Sequence, residues 1–208
     1  IRGFFIGADE SDTLTPVFIR GNLTAGGLIG KTIINAEGNK IATIKDIIIG
    51  KNGKAALVVV SDDGLLGIGT KVAAFDYGSV VTQRYDGTVG MSLSKEMISR
   101  AADFSYDPKD WAKAKVIPAG SVSTNMLLEG DVLNSKGEKV ASIENVYFRY
   151  AEVTQIIVGF HKTMCADGDF ASLDYDDMGM IRKDGGLHFN LTEKQSTHFK
   201  NFKASVAN

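Results

Sequence analysis

Two stretches decide the reading: IINAEGNKIATIKDI at residues 33–47 and VLNSKGEKVASIENV at residues 132–146. Set against each other at a spacing of 99, Asn35, Gly38, Lys40, Ala42 and Ile44 recur as Asn134, Gly137, Lys139, Ala141 and Ile143. Working outward, LVVVS at residues 57–61 falls on IIVGF at residues 156–160. At a spacing of 98, Asp76-Tyr77 meets Asp174-Tyr175, and YDGTVGMSLSKEM at residues 85–97 meets KDGGLHFNLTEKQ at residues 183–195. A match sustained over about eighty residues is the signature of an internal repeat. The chain therefore divides into an N-terminal arm (residues 1–24), a first domain (25–105), a joint (106–122) and a second, divergent domain (123–208).

Each copy reads mostly as strand. Short β-branched runs are separated by Glu37-Gly38-Asn39 and by Lys51-Asn52-Gly53, and the Asn-Gly pair of the second marks a tight hairpin turn. Near the end of the first copy Ser94 is placed to cap a helix carrying Met97, Ile98 and Ala101 on one face. In the second copy Thr192 and Gln195 have the spacing of a capping box. Strands this short leave bare edges in an open sheet. The expected fold is mainly β: two tandem small β-barrels, each of about five or six strands closed by a C-terminal helix.

Composition narrows the function. Of 208 residues, 23 are Lys or Arg and 25 Asp or Glu, a formal charge of −2, so no basic face for nucleic acid is expected. Hydrophobic content of 44% supports a packed core, and no apolar run approaches the roughly 18 residues of a membrane-spanning helix. Glycine at 23 and proline at 3 suit tight turns between strands. The single Cys165 excludes an internal disulfide. The sequence begins with Ile1 rather than Met, which reads as a processed or trimmed start.

The stretch LIGKTIINAEGNKIATIKDIIIGKNGKAALVVVSDDGLLGIGTKVAAFDYGSV (residues 28–80) resembles the PRC-barrel family, named for the H subunit of the photosynthetic reaction centre and also seen in the C-terminal half of a ribosome-maturation factor. The resemblance is carried by Leu28-Ile29-Gly30-Lys31, the turn Asn35 to Gly38 followed by Ile41, Ile44 and Asp46, and GLLGIGTK at residues 64–71. The second copy keeps the opening turn but has HKTMCADGD in place of DDGLLGIGTK. The resemblance implies a β-barrel and a role in assembly or docking, and implies no reaction.

Several motifs compete with that reading. AGGLIGKT at residues 25–32 satisfies a permissive phosphate-loop pattern, but a phosphate loop needs a strand before it and a helix after it, and the flanking residues read otherwise. Leu65, Leu66 and Ile68 lie on the glycine-rich loop as candidate partner contacts, as do Phe4, Phe5 and Phe18 on the arm. His161 and Cys165 stand near an acidic run, from which His161, Asp167, Asp169 and Asp174 form a candidate metal set. The arm is expected to pack on a barrel in cis, or else to add a strand to a neighbouring copy. No catalytic constellation and no cofactor are expected. The function expected is a non-catalytic docking or scaffold protein, self-assembling or bound to a protein partner, in a bacterial periplasm or cell envelope, with a membrane complex among the expected partners. The competing expectations are a metal or small-ligand binder and a cytoplasmic location.

Overall fold

A computed structural model describes residues 2–6, 15–18, 24–35, 37–64, 70–83, 89–128, 130–149, 152–159, 170–175, 179–183, 186–197 and 200. Strands β1 (Arg2–Ile6) and β2 (Thr15–Phe18) open the chain. Two compact units follow from the packing: residues 22–125 with 148–152, and residues 1–21, 126–147 and 153–208. No described helix is long and apolar enough to cross a membrane.

The first unit begins with a single helical turn, α1 (Ala25–Leu28), capped by the Thr24 side chain, which accepts from Gly27 N. Strands β3 (Thr32–Ile34), β4 (Lys40–Ile49), β5 (Ala55–Ser61) and β6 (Val72–Asp76) then run as an antiparallel meander. Hydrophobic residues are buried on both faces of β4 and β5, with Ile47, Ile48, Ile49, Val59 and Val60 fully buried. Burying such a side chain contributes about 1.5–3 kcal/mol, so these two strands carry the core. A second helical turn, α2 (Tyr77–Val80), leads to the hairpin of β7 (Val81–Gln83) and β8 (Val89–Met91). The helix α3 (Lys95–Arg100) follows, with Ser94 Oγ accepting from Met97 N at 3.2 Å as the sequence predicts. Its buried face differs from the prediction: Ile98 is fully buried while Met97 is 43% exposed, because six residues are too few for periodicity to fix a face.

The joint folds as part of this unit. Strand β9 (Phe104–Ser105) pairs in parallel with β10 (Lys115–Val116), a 3-10 turn spans Pro108–Ala112, and β11 (Val122–Ser123) pairs antiparallel with β4. Trp111 on the 3-10 turn stands 76% exposed.

A helical turn α4 (Thr124–Leu127) carries the chain out of the first unit, and β12 (Asp131–Leu133), β13 (Lys139–Arg149), β14 (Glu152–Gly159), β15 (Phe170–Asp174), β16 (Gly179–Lys183) and β17 (Gly186–Asn190) follow. They form one sheet in the order β16-β17-β12-β13-β14-β15-β1-β2. The arm is thus accounted for in cis: β1 lies parallel to β15, with Phe4 opposite Ala171, and β2 covers its other side. Gln195 N donates to Thr192 Oγ1 at 3.1 Å and Thr192 N to Gln195 Oε1 at 2.8 Å, the reciprocal pair of a capping box.

The repeat is visible in the backbone itself. Thr32, Ile33 and Ile34 face Thr43, Ala42 and Lys40, with a register shift before Ile34. Asp131, Val132 and Leu133 face Ser142, Ala141 and Lys139, with the shift in the same place. The reason is a shared turn, in which Asn35 or Asn134 accepts backbone bonds from residues after it. Gly38 (φ +82°) and Gly137 (φ +80°) hold the left-handed position that a side chain would strain. Closure differs from the expectation of sealed barrels. In the second unit β17 pairs in parallel with β12, but the sheet still ends on β16 and β2. In the first unit the counterparts β8 and β3 do not pair, and among the described residues β3 bonds only to β4.

Candidate functional site

Between β3 and β8 lies a groove of about 380 Å³. Its walls are largely apolar, from Leu28 of α1, Ile33 and Ile34 of β3, Ile44 of β4, and Val89 and Met91 of β8. Ile34 is 61% exposed, the highest value for a large aliphatic residue among the described residues. Because Ile44 N donates to Lys31 O, the antiparallel alternation turns the N–H and C=O of Thr32 away from β4 and toward the open edge. An edge strand with free backbone groups is a template for another strand. Lys31 brings the one charged side chain to the described lining, and it makes no ion pair among the described residues.

Behind the groove, β4 is organised around Asp46. A bulge in β4 sets Ile44 opposite Val60 and Asp46 opposite Val59, so Lys45 is the extra residue and the alternation of faces resets at Asp46. Asp46 is fully buried. Its Oδ1 accepts from Ile47 N (2.8 Å), Thr124 Oγ1 (2.8 Å) and Asn125 N (3.2 Å). Its Oδ2 accepts from Tyr106 OH (2.9 Å) and from Ser123 Oγ. Burial, and then the neighbouring carboxylate, push the Tyr106 hydroxyl well above its ordinary range and keep it a donor. Four of these donors come from residues 106–125, so one carboxylate ties Tyr106 at the start of the joint and Ser123 to Asn125 just after it to the core strand. Sequence reading used Asp46 only as a mark of resemblance. A carboxylate amid buried β-branched residues was the available signal, though four of its five partners lie 60 to 79 positions away.

The base of the glycine-rich loop is similarly held. The buried Asp62 accepts through Oδ1 from Gly64 N (3.0 Å) and Lys71 N (2.7 Å), stapling the two ends of the loop. Asp63, at φ +51°, accepts from Thr43 Oγ1 (2.6 Å) and pairs with Lys40 (2.9 Å) and Lys45 (3.0 Å). The Thr43 hydroxyl and then the two ammonium groups hold its carboxyl well below the usual carboxylate range. Because the folded form binds its proton less readily than the unfolded chain, this group's stabilisation is complete above the ordinary carboxylate range and fades on acidification below it. Thr43→Val should therefore flatten the loss of stability below about pH 4. Denaturant midpoints over a pH series measure this, and an unchanged acid limb would count against it.

Most of the sequence-predicted site residues lie outside what is described. Leu65, Leu66, Ile68, His161, Asp167 and Asp169 fall there, as does the side chain of Asp174, whose backbone sits in β15 opposite Gln155. Phe4 and Phe5 are on β1 and Phe18 is on β2, placed by backbone register alone. Among the described residues no group of three His, Cys, Asp or Glu is gathered as a metal site would require. At the phosphate-loop pattern, the helical turn α1 comes before Gly30-Lys31-Thr32 and a strand comes after, the reverse of what phosphate cradling needs.

Compared with protein-family models, residues 23–86 match the PRC-barrel domain. The match runs from just before the Thr24 cap through β7 and ends short of β8. No curated protein matches the chain.

Proposed function

We propose that the chain is a non-catalytic docking protein built from two PRC-barrel-like modules, and that the first module binds an extended strand of a partner polypeptide in the groove between β3 and β8. The observation that carries this reading is the pair of open strand edges flanking an apolar groove, at the position where the second copy pairs its own strands. The chemistry of the lining specifies the partner: apolar side chains facing Ile33, Ile44 and Met91, and an acidic residue where the unpaired Lys31 stands. Main-chain bonds to the Thr32 edge would supply affinity, and the alternate side chains specificity.

The test is selection of a displayed peptide library against the full chain, with Ile34→Arg and Met91→Arg together as the groove variant. Both positions are exposed or half-buried, so the variant keeps its fold, which circular dichroism verifies. The expected result is a consensus of alternating apolar residues with a terminal Asp or Glu whose binding is lost in the variant. Peptides that bind parent and variant equally, or no consensus at all, would refute the reading.

A further inference from the structure

The two halves share a hairpin but differ in where it sits on its neighbouring strand. In the second half Asp131, Val132 and Leu133 of β12 face His188, Phe189 and Asn190 of β17, and Leu191 N donates to Leu133 O at 2.8 Å. The repeat equates these with Thr32, Ile33 and Ile34 and with Gly90, Met91, Ser92 and Leu93. In the first half none of these contacts is made, and Leu93 N does not reach Ile34 O. Each half carries an antiparallel strand pair at this place, with a register that differs by one residue: Val81 faces Met91, whereas its counterpart Gly179 faces Asn190 and Phe189 faces Met180.

We propose that the β7–β8 hairpin closes onto β3 in the register Thr32 to Gly90, Ile33 to Met91 and Ile34 to Ser92, so that the groove exists in an open state and is occluded in a closed one. As regulation, this rests on the docking reading above; as a conformational equilibrium, it stands without it. The physical difference between the halves lies in what holds the hairpin down. Phe189 is fully buried in the core of the second half, whereas Met91 at the same place is half-buried on the groove wall. Asp131 faces His188 across the strands with its Oδ2 3.7 Å from His188 Nδ1, and it also pairs with Lys139. Thr32 and Gly90, their counterparts, include no carboxylate and no imidazole to meet across the strands. Among the described residues, the only atom within 4 Å of a Cβ placed at Gly90 is Thr82 O of the paired β7, at 4.0 Å, so the β3-facing side of Gly90 leaves room for a strand. The surfaces that would meet, Ile33, Ile34 and Met91, are the apolar ones, which water disfavours leaving apart.

The experiment uses the full chain carrying Cys165→Ser, with one cysteine pair at Ile34→Cys and Ser92→Cys and a control pair at Leu133→Cys and Asn190→Cys. Paired strands stand about 4.8 Å apart, so a short bifunctional thiol reagent links only closed molecules. The control pair should link rapidly. The first pair should link more slowly, and adding Met91→Phe should raise its rate several-fold toward the control. Absence of an intramolecular link in the first pair, with the control linking, overturns the proposal. So does a link that forms only between molecules. The parent pair alone suffices if Met91→Phe does not fold. A link that forms although no peptide was selected would keep the closure and reject docking. A selected peptide without any link would do the opposite.

Discussion

Replacing Asp46 by alanine is expected to lower the unfolding free energy by about 3–5 kcal/mol. The carboxylate is fully buried and accepts five hydrogen bonds, so its removal strips the shared acceptor from Tyr106, Ser123, Thr124 and Asn125 at once and leaves Ile47 N its longer bond to Thr124 Oγ1 (3.3 Å). A buried donor left without a partner costs about 1–3 kcal/mol, and the hydroxyls can recover part of this by turning toward one another. Asp46→Asn should cost only about 1–2 kcal/mol, because the amide oxygen still accepts while its nitrogen offers donors to the hydroxyls. The second half supplies the precedent: Asn145, at the equivalent position, accepts from Val146 N at 2.9 Å as Asp46 does from Ile47 N. Urea denaturation measures both variants. Equal losses for alanine and asparagine would show that hydrogen bonding is not what Asp46 contributes.

Truncating Phe189 to alanine is expected to cost about 3–5 kcal/mol, against about 1 kcal/mol for Met91→Ala. The two residues occupy equivalent places on equivalent hairpins, yet the first is fully buried and the second lines an open groove. Deleting a packed ring leaves a cavity as well as forfeiting its transfer free energy, whereas deleting a half-exposed side chain leaves little void. Phe189→Ala should also release β17 from β12, seen as faster amide exchange at His188 and Leu191. Similar costs for the two truncations would mean that the first half is closed in solution as the second is.

What the sequence discloses and what it withholds follow the range of the forces involved. The Asn35 to Gly38 turn, its copy at Asn134 to Gly137, the Ser94 cap and the Thr192–Gln195 box are all local, and each stands where spacing places it. The face of α3 did not follow from spacing, since Met97 is outward and the core alone decides which residue of so short a helix is covered. The joint reads as a connector, yet Val122 and Ser123 pair with Ile49 and Ile48 and their neighbours bond to Asp46. Such pairings between distant residues have no local signature. The groove was equally hidden: VGM and LHF both read as strand, and only the packing of Met91 against that of Phe189 separates an open edge from a paired one. The loop residues Leu65, Leu66 and Ile68 lie outside the described residues, and Phe4, Phe5 and Phe18 are placed by backbone register alone.

Residue-by-residue hydrogen exchange on the full chain, comparing Leu93 with Leu191, tests the central claim that one copy is open where the other is paired. Leu191 N–H is bonded to Leu133 O, and the account predicts that it exchanges slower than Leu93 N–H by at least tenfold, the ratio set by about 1.4 kcal/mol of opening free energy. Equal protection of the two amides would contradict it, because the first half would then be closed and would present no groove to a partner.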